Sequence, residues 1–143
     1  MSDNGRKVLV DSNVWLYIFL PGQDDVKSQV ATQLVAEHAQ NIVVSTQVIN
    51  ETVRNIRYNQ VMSELRIRDL VNSFYQDYPV IQMNQDIQLR ASFLREKYSI
   101  SYWDSLLASA GLEIQAEILL SEDMQDGLVI DEQMTIVNPF VAR

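Results

Sequence analysis

The sequence predicts an α/β protein in which a mainly parallel sheet lies between two layers of helices. Short apolar, β-prone runs alternate along the chain with longer segments of helical periodicity, a pattern typical of parallel sheets whose crossovers are helices. No Pro-, Gly- or Ser-rich linker, internal repeat or low-complexity tract divides its 143 residues. We therefore expect one three-layer α/β/α sandwich over residues 7–143, preceded by a disordered tail at residues 1–6.

The first half of the chain supplies two strands and three helices. The first four elements are expected to be a buried strand at 7–10, a helix at 14–20 ended by Pro21-Gly22, an amphipathic helix at 24–39 and a strand at 42–44. Either Ser45 or Thr46 is placed to cap the helix that follows. The strands carry the apolar runs that a two-sided sheet requires.

The second half continues the alternation. Ser63 and Asn84 are placed to cap two helices, and residues 79–81 between them fit either a third strand or a connector. The remaining elements are expected to be a helix at 101–115, a buried strand at 118–120 and extended runs at 128–130 and 134–137. Asp126-Gly127 is a turn signal, so Asp126 is interpreted as structural.

Composition excludes several kinds of site. The chain has no cysteine and one histidine, which rules out thiol nucleophiles, disulfides, Cys-ligated metals and paired-His zinc sites. A formal net charge of −8 argues against a non-specific nucleic-acid coat, but not against a nuclease. No apolar run approaches the roughly 20 residues that cross a bilayer, and the start lacks signal-peptide features, so we expect a cytoplasmic protein without membrane contacts.

Two acids follow strands of the predicted sheet. Asp11 comes directly after the first strand, and Asp123 closely follows the strand at 118–120. If both strands are parallel and central, these acids share the carboxyl edge where open α/β sheets bind ligands. Asp104 lies in the first turn of the preceding helix, where Ser101-x-x-Asp104 also fits a capping box. An N-cap is likewise the simpler interpretation of Asp11.

Basic residues are concentrated in one part of this acidic chain. The densest group is formed by Arg54, Arg57, Arg66 and Arg68. These side chains are equally compatible with surface pairs to Glu64 and Asp69 and with a phosphate clamp, since the guanidinium fork suits phosphate oxygens.

The spaced acidic motifs resemble those of PIN-domain proteins, in particular the toxin ribonucleases of VapBC toxin–antitoxin pairs. The motifs are Asp11 in Val10-Asp11-Ser12-Asn13, Glu51 in Ile49-Asn50-Glu51, Asp104 in Tyr102-Trp103-Asp104-Ser105, and Asp123 in Leu120-Ser121-Glu122-Asp123. Residues 136–140 are similar to the usual ending of that family. One departure is Ser105, where many members have Ala. The resemblance covers nearly the whole chain.

The resemblance implies a site and a function. Asp11, Glu51, Asp104 and Asp123 would form an acidic quartet that binds Mg²⁺ or Mn²⁺. Asn13 and Ser121 would be polar supports. It also implies endoribonuclease activity on RNA, a homodimer, and a small antitoxin protein as partner. Helical periodicity alone makes Glu51 an ordinary exposed residue, so only the resemblance places it in the site.

Elementary chemistry is compatible with such a site. Mg²⁺ and Mn²⁺ prefer oxygen ligands, and a bound metal can activate water for attack on a phosphodiester. We expect Asp11 and Asp104 as ligands, Asp123 as ligand or support, and Glu51 as a positioning group or helper base. The alternative is a non-catalytic PIN-like module that binds RNA or protein. A receiver domain and a HAD-like phosphatase are weaker alternatives, because the first strand carries no paired acids.

Overall fold

Strands and helices alternate through residues 6–142, which the computed structural model describes. In order they are β1 (Lys7–Val10), α1 (Ser12–Phe19), α2 (Asp25–Glu37), β2 (Ile42–Ser45), α3 (Thr46–Tyr58), α4 (Glu64–Asp77), β3 (Val80–Ile81), α5 (Gln85–Lys97), α6 (Tyr102–Glu113), β4 (Ala116–Leu120), β5 (Val129–Ile130) and β6 (Met134–Val137). The two-residue β3 resolves the ambiguity at 79–81 in favour of a strand. None of these helices is both long and apolar enough to cross a membrane.

The sheet has the strand order β3-β2-β1-β4-β6-β5. Every neighbouring pair is parallel except β5 and β6, which are antiparallel. The predicted α/β/α sandwich with a mainly parallel sheet is therefore confirmed. Because β1 lies between β2 and β4, the residues that follow these three strands emerge together at one edge.

Register decides which of those residues become neighbours. Val10 at the end of β1 is aligned with Leu120 at the end of β4, and the N–H of Asp11 donates to the Leu120 carbonyl at 2.9 Å. Asp11 and Ser121 therefore leave the sheet side by side. The sequence placed both positions at strand ends, but only this alignment makes them contact.

The core fixes the helices that carry the site. Trp15 of α1 is 3% exposed and packs its ring edge-on to Phe74 of α4, with centroids 5.1 Å apart. Residues 105–112 of α6 are buried without a break. Gly111 in that run faces β6 so closely that a Cβ there would lie 2.6 Å from the Met134 sulfur. Helix α6 is thus held rigidly against the sheet.

Polar caps start the helices close to where the sequence predicts. Ser45, not Thr46, caps α3 by accepting from the N–H of Gln47. Ser63 and Asn84 cap α4 and α5 as expected. Helix α1 begins at Ser12, two residues before its predicted start, because Asp11 supplies the cap.

The predicted tail is only partly covered by the described residues. Residues 1–5 lie outside them, as does residue 143. Arg6, the last residue of that tail, is exposed and pairs with Glu117 of β4, with Nε and Oε2 2.9 Å apart.

Candidate functional site

Asp11 lies at the carboxyl end of the central strand, with both carboxylate oxygens engaged. Oδ1 accepts from the Ser12 N–H at 2.7 Å, which caps α1. Oδ2 accepts from the Ser121 hydroxyl at 2.8 Å and from Asn13 Nδ2 at 3.3 Å. The capping role expected of Asp11 is therefore real, and it uses one oxygen while the other faces residues of the candidate site.

Burial sets the protonation of Asp11. The residue is 7% exposed, and this desolvation raises the pKa of its carboxyl group to about 6. Hydrogen bonds from Ser121 and Ser12 oppose the rise, whereas the negative charges of Glu51 and Asp104 add to it. Burial is thus the main reason that Asp11 favours its protonated form, and the charges of Glu51 and Asp104 act in the same direction.

Asn13 joins the first and fourth acids of the predicted quartet. Its Nδ2 group donates to Asp123 Oδ2 at 3.1 Å as well as to Asp11. Its Oδ1 accepts from the backbone N–H of Glu122 at 3.1 Å, and Ser121 Oγ accepts from the Asp123 N–H at 3.3 Å. The structure therefore places Asn13 and Ser121 between Asp11 and Asp123. Their role as polar supports of a metal site stays a prediction.

Glu51 reaches the site from the second turn of α3. Its Oε2 accepts from the Ser12 hydroxyl at 3.0 Å, and its Oε1 accepts from Gln47 Nε2 at 3.1 Å. Ser12 follows Asp11 directly, so this hydrogen bond brings Glu51 beside the strand-end acid. The periodicity of α3 did not show this, because the contact depends on how α1 and α3 pack.

Asp104 enters from the first turn of α6. The cap of this helix is supplied by Ser101, whose Oγ accepts from the Asp104 N–H at 3.1 Å. Partial burial raises the pKa of the Asp104 carboxyl group, the negative charges of Asp123 and Glu51 raise it further, and a hydrogen bond from Ser101 opposes the rise. All four acids are therefore electrostatically linked at one edge of the sheet.

This donor set suits a hard divalent cation. All four acids offer oxygen ligands, which Mg²⁺ and Mn²⁺ prefer. Within residues 6–142 no three His, Asp or Glu side chains are gathered closely enough to form a ready metal cage. Mg²⁺ commonly uses only one or two carboxylates, keeps several waters and takes phosphate oxygens from its substrate. The residues present fit an ion bound in that open manner.

A cluster outside the quartet ties the Asp123 segment to the helices. The Glu122 carboxylate accepts from the Tyr17 hydroxyl at 2.7 Å and pairs with Lys27 Nζ at 2.5 Å. Lys27 also lies over the Phe140 ring, 5.6 Å from its centroid. This cluster was not predicted, because it depends on how Glu122 packs against α1 and α2 and leaves no local sequence motif.

Arg54 and Arg57, two members of the basic group considered as a phosphate clamp, differ in their surroundings. Arg57 Nε lies 2.9 Å from Glu64 Oε2, and both side chains are largely exposed, as the surface-pair interpretation expects. Arg54 forms no ion pair with another residue of the range 6–142. Arg54 and Arg57 both line a cavity of about 790 Å³ between α3 and α4. Only Arg54 also lines a second cavity, which contains Glu51.

That second cavity is a groove bounded by α3 and the start of α6, and we call it the α3–α6 groove. Its volume is about 640 Å³. Glu51 and Arg54 line it on the α3 side, and Tyr102 and Trp103 line it next to Asp104. The groove is therefore continuous with the acidic site.

The fold and the site together define an α/β/α domain whose acidic residues converge at the carboxyl edge of a parallel sheet. A family model described as the PIN domain matches residues 8–125. The chain belongs to the PIN-domain family, and the resemblance seen in its motifs is confirmed at that level. A comparison with curated protein sequences found no significant match.

Solved structures share this fold at low sequence identity. A toxin–antitoxin complex from Klebsiella pneumoniae has a TM-score of 0.72 and 18% identity, over 94% of this chain and 98% of that one. The sarcin–ricin-loop-cleaving toxin VapC20 of Mycobacterium tuberculosis has a TM-score of 0.64 and 15% identity, over 79% and 87%. VapBC2 of Rickettsia felis, bound to promoter DNA, has a TM-score of 0.60 and 15% identity, over 81% and 87%.

Proposed function

We propose that this protein is a metal-dependent endoribonuclease that hydrolyses RNA phosphodiester bonds, and that it acts as the toxin of a VapBC-type pair. The observation that carries the proposal is the environment of Asp11, a buried acid at the central strand end that shares the donor Asn13 with Asp123 and is followed by Ser12, which donates to Glu51. Packing acids this way is unfavourable for the metal-free fold. A bound cation would offset that cost.

The proposal assigns a role to each acid. Asp11, Asp104 and Asp123 would hold Mg²⁺ or Mn²⁺, which supplies activation of water and neutralisation of phosphate charge. Asn13 and Ser121 orient the carboxylates of Asp11 and Asp123 through the hydrogen bonds described above.

Glu51 is held by Ser12 and Gln47. It is suited to orient the attacking water or to accept its proton. With one histidine in the sequence, a paired-His mechanism is not open to this chain.

The family also suggests partners. Structural relatives include a toxin–antitoxin complex and a VapBC complex on its promoter DNA, so the proposal includes a small antitoxin protein. It also includes a homodimer and a cytoplasmic location. Sedimentation velocity of the purified chain would test the dimer directly, because a monomer at micromolar concentration would contradict it.

A cleavage assay tests the proposed activity. Purified protein is incubated with total cellular RNA in Mn²⁺, Mg²⁺ or EDTA, and Asp11→Ala is compared with wild type. We expect metal-dependent fragments from wild type and a loss of at least about 100-fold in rate for Asp11→Ala, since metal ligands are central to such catalysis. Asp86→Ala, which removes an exposed acid in the first turn of α5, is the matched control.

The same assay distinguishes the proposed nuclease from the alternative, a non-catalytic binding module. Equal cleavage by wild type and Asp11→Ala would reject the proposed site. Binding of Mn²⁺ without cleavage of any RNA would favour the non-catalytic RNA- or protein-binding module.

A further inference from the structure

The α3–α6 groove presents an aromatic surface that the core does not use. Trp103 is 63% exposed and Tyr102 53% exposed, whereas the other tryptophan, Trp15, is 3% exposed. Tyr102 and Trp103 meet edge to face, with ring centroids 5.1 Å apart. An indole held at the mouth of a groove, directly before a candidate catalytic acid, offers a face on which a flat ring can stack.

This aromatic surface is held in place from behind. The Arg95 guanidinium lies over the Tyr102 ring, 5.0 Å from its centroid, and Arg95 Nη1 donates to the Ser105 hydroxyl at 2.8 Å. On the groove side, Gln47 Nε2 donates to the Trp103 carbonyl at 3.1 Å. Gln47 thus holds the Trp103 backbone and Arg95 the neighbouring Tyr102 ring, so part of this surface is ordered before a ligand binds.

The rest of the groove carries groups suited to a nucleotide. Asn50 is an exposed amide in the lining, and amides can hydrogen-bond to the edges of a base. Arg54 forms no ion pair with another described residue, and its guanidinium fork matches phosphate oxygens. Glu51 lines the same groove, so a nucleotide here would adjoin the acidic quartet.

We propose that the α3–α6 groove is a binding site for one unpaired nucleotide of the RNA substrate, with its base stacked on Trp103 and a phosphate near Arg54. The inference rests on the proposed nuclease function and deepens it, because it names the residues that would hold a nucleotide of the substrate beside the acidic site. Bases within a duplex are already stacked on both faces and cannot lie on Trp103.

The charge of the protein sharpens this expectation. Arg54 is the one Lys or Arg in the described lining of the groove, so counterion release contributes little and stacking should contribute much of the affinity. A single phosphate contact at Arg54 should give log K against log salt concentration a slope of about −0.7. For a site built on many phosphate contacts, the slope of log K against log salt concentration would be several times larger in magnitude.

The test measures binding in EDTA, where a metal-dependent enzyme does not cut its ligand. A short fluorescein-labelled single-stranded RNA and its duplex form are titrated with wild-type protein, and anisotropy is recorded. Trp103→Leu should bind the single strand about 5- to 150-fold more weakly, the range for one stacked base, while Trp103→Phe keeps most of the affinity. Phe93→Leu, at another aromatic residue that is 68% exposed but lies outside the groove, should bind as wild type does.

Tryptophan emission gives an independent readout. Because Trp15 is buried, quenching by the unlabelled RNA should come from Trp103 and disappear in Trp103→Leu. Unchanged RNA affinity in Trp103→Leu, equal binding of duplex, or equal weakening in Phe93→Leu would each overturn the proposal. So would a smaller sedimenting species in Trp103→Leu, since the surface would then be an interface between subunits.

The proposed nuclease activity and the proposed nucleotide site can be refuted independently of each other. Trp103-dependent RNA binding without any cleavage in Mn²⁺ would refute the nuclease and leave the nucleotide site standing. Metal-dependent cleavage together with unchanged RNA affinity in Trp103→Leu would support the nuclease and refute the nucleotide site.

Discussion

In the metal-free protein, ionisation of Asp11 should cost about 2.5 kcal/mol of stability as the pH rises from 4 to 7. Its folded-state pKa is about 6, against 3.8 for an ordinary aspartate carboxyl group. At about 1.36 kcal/mol for each pKa unit the whole effect is about 3 kcal/mol, of which about 0.5 kcal/mol is already lost at pH 4. A raised carboxyl pKa means that the folded state binds the proton more tightly than the unfolded state. The stabilising contribution is therefore complete below pH 3.8 and is lost as the pH passes through about 6.

Asp11→Asn isolates this contribution. The asparagine turns an amide toward the donors Asn13 and Ser121, which adds a cost that does not vary with pH. The informative quantity is the difference in unfolding free energy between wild type and variant, measured by urea denaturation in EDTA at several pH values. That difference should move by about 2.5 kcal/mol in favour of the variant between pH 4 and 7, or about 8 °C in melting temperature.

Two results would refute this reasoning. A difference that stays constant across the pH range would mean that Asp11 is not destabilised by burial and its acidic neighbours. An equal pH-dependent change in Asp86→Asn, which removes one exposed carboxylate, would mean that overall charge explains the effect. With Mn²⁺ present, wild type should instead gain stability above pH 6, because the metal binds the ionised carboxylate.

Three further predictions concern neighbouring residues. Asp104→Asn should leave the melting temperature in EDTA unchanged or higher and remove most of the stabilisation by Mn²⁺; a much lower melting temperature would indicate a capping role instead. Asn13→Ala, which removes the amide that donates to Asp11 and Asp123, should weaken Mn²⁺ binding about 10- to 100-fold by calorimetry, as loss of outer support does at metal sites. Lys97→Met, which breaks the Lys97–Asp131 pair, should leave the Mn²⁺ affinity unchanged, and equal affinities of Asn13→Ala and wild type would refute the supporting role of Asn13. Gly111→Ala should lower the free energy of unfolding, measured by urea denaturation, by about 1–3 kcal/mol, because the added Cβ would meet the Met134 sulfur. An unchanged free energy of unfolding would show that the Met134 side chain moves aside at little cost.

The sequence was sufficient for the fold class because the relevant signals are local. Apolar runs such as residues 7–10 and capping residues such as Ser63 and Asn84 depend only on neighbours in the chain. Element boundaries were less well predicted. The predicted start of α1 was two residues late. Asp11 follows a strand directly, and the sequence does not show whether such an Asp belongs to a loop or caps the next helix.

The acids differ in how far sequence could place them. Asp11 and Asp123 follow strands, so a parallel sheet alone was enough to bring them to one edge. Glu51 had no such signal, since its link to the site is the Ser12 hydroxyl, which reaches it across the packing of α1 against α3. Motif resemblance found Glu51 because it compares positions in the chain and needs no knowledge of packing.

Sequence by itself determined the alternation of strands and helices, the absence of cysteine, the oxygen-rich donor set and the spacing of the four acids. Tertiary structure decided the alignment of Val10 with Leu120, which makes Asp11 and Ser121 neighbours. It also decided the burial that raises the Asp11 pKa, the support of Glu122 by Tyr17 and Lys27, and the exposed face of Trp103. The physical reason is that burial, charge coupling and shape arise from residues distant in the chain, whereas periodicity and caps arise from adjacent ones.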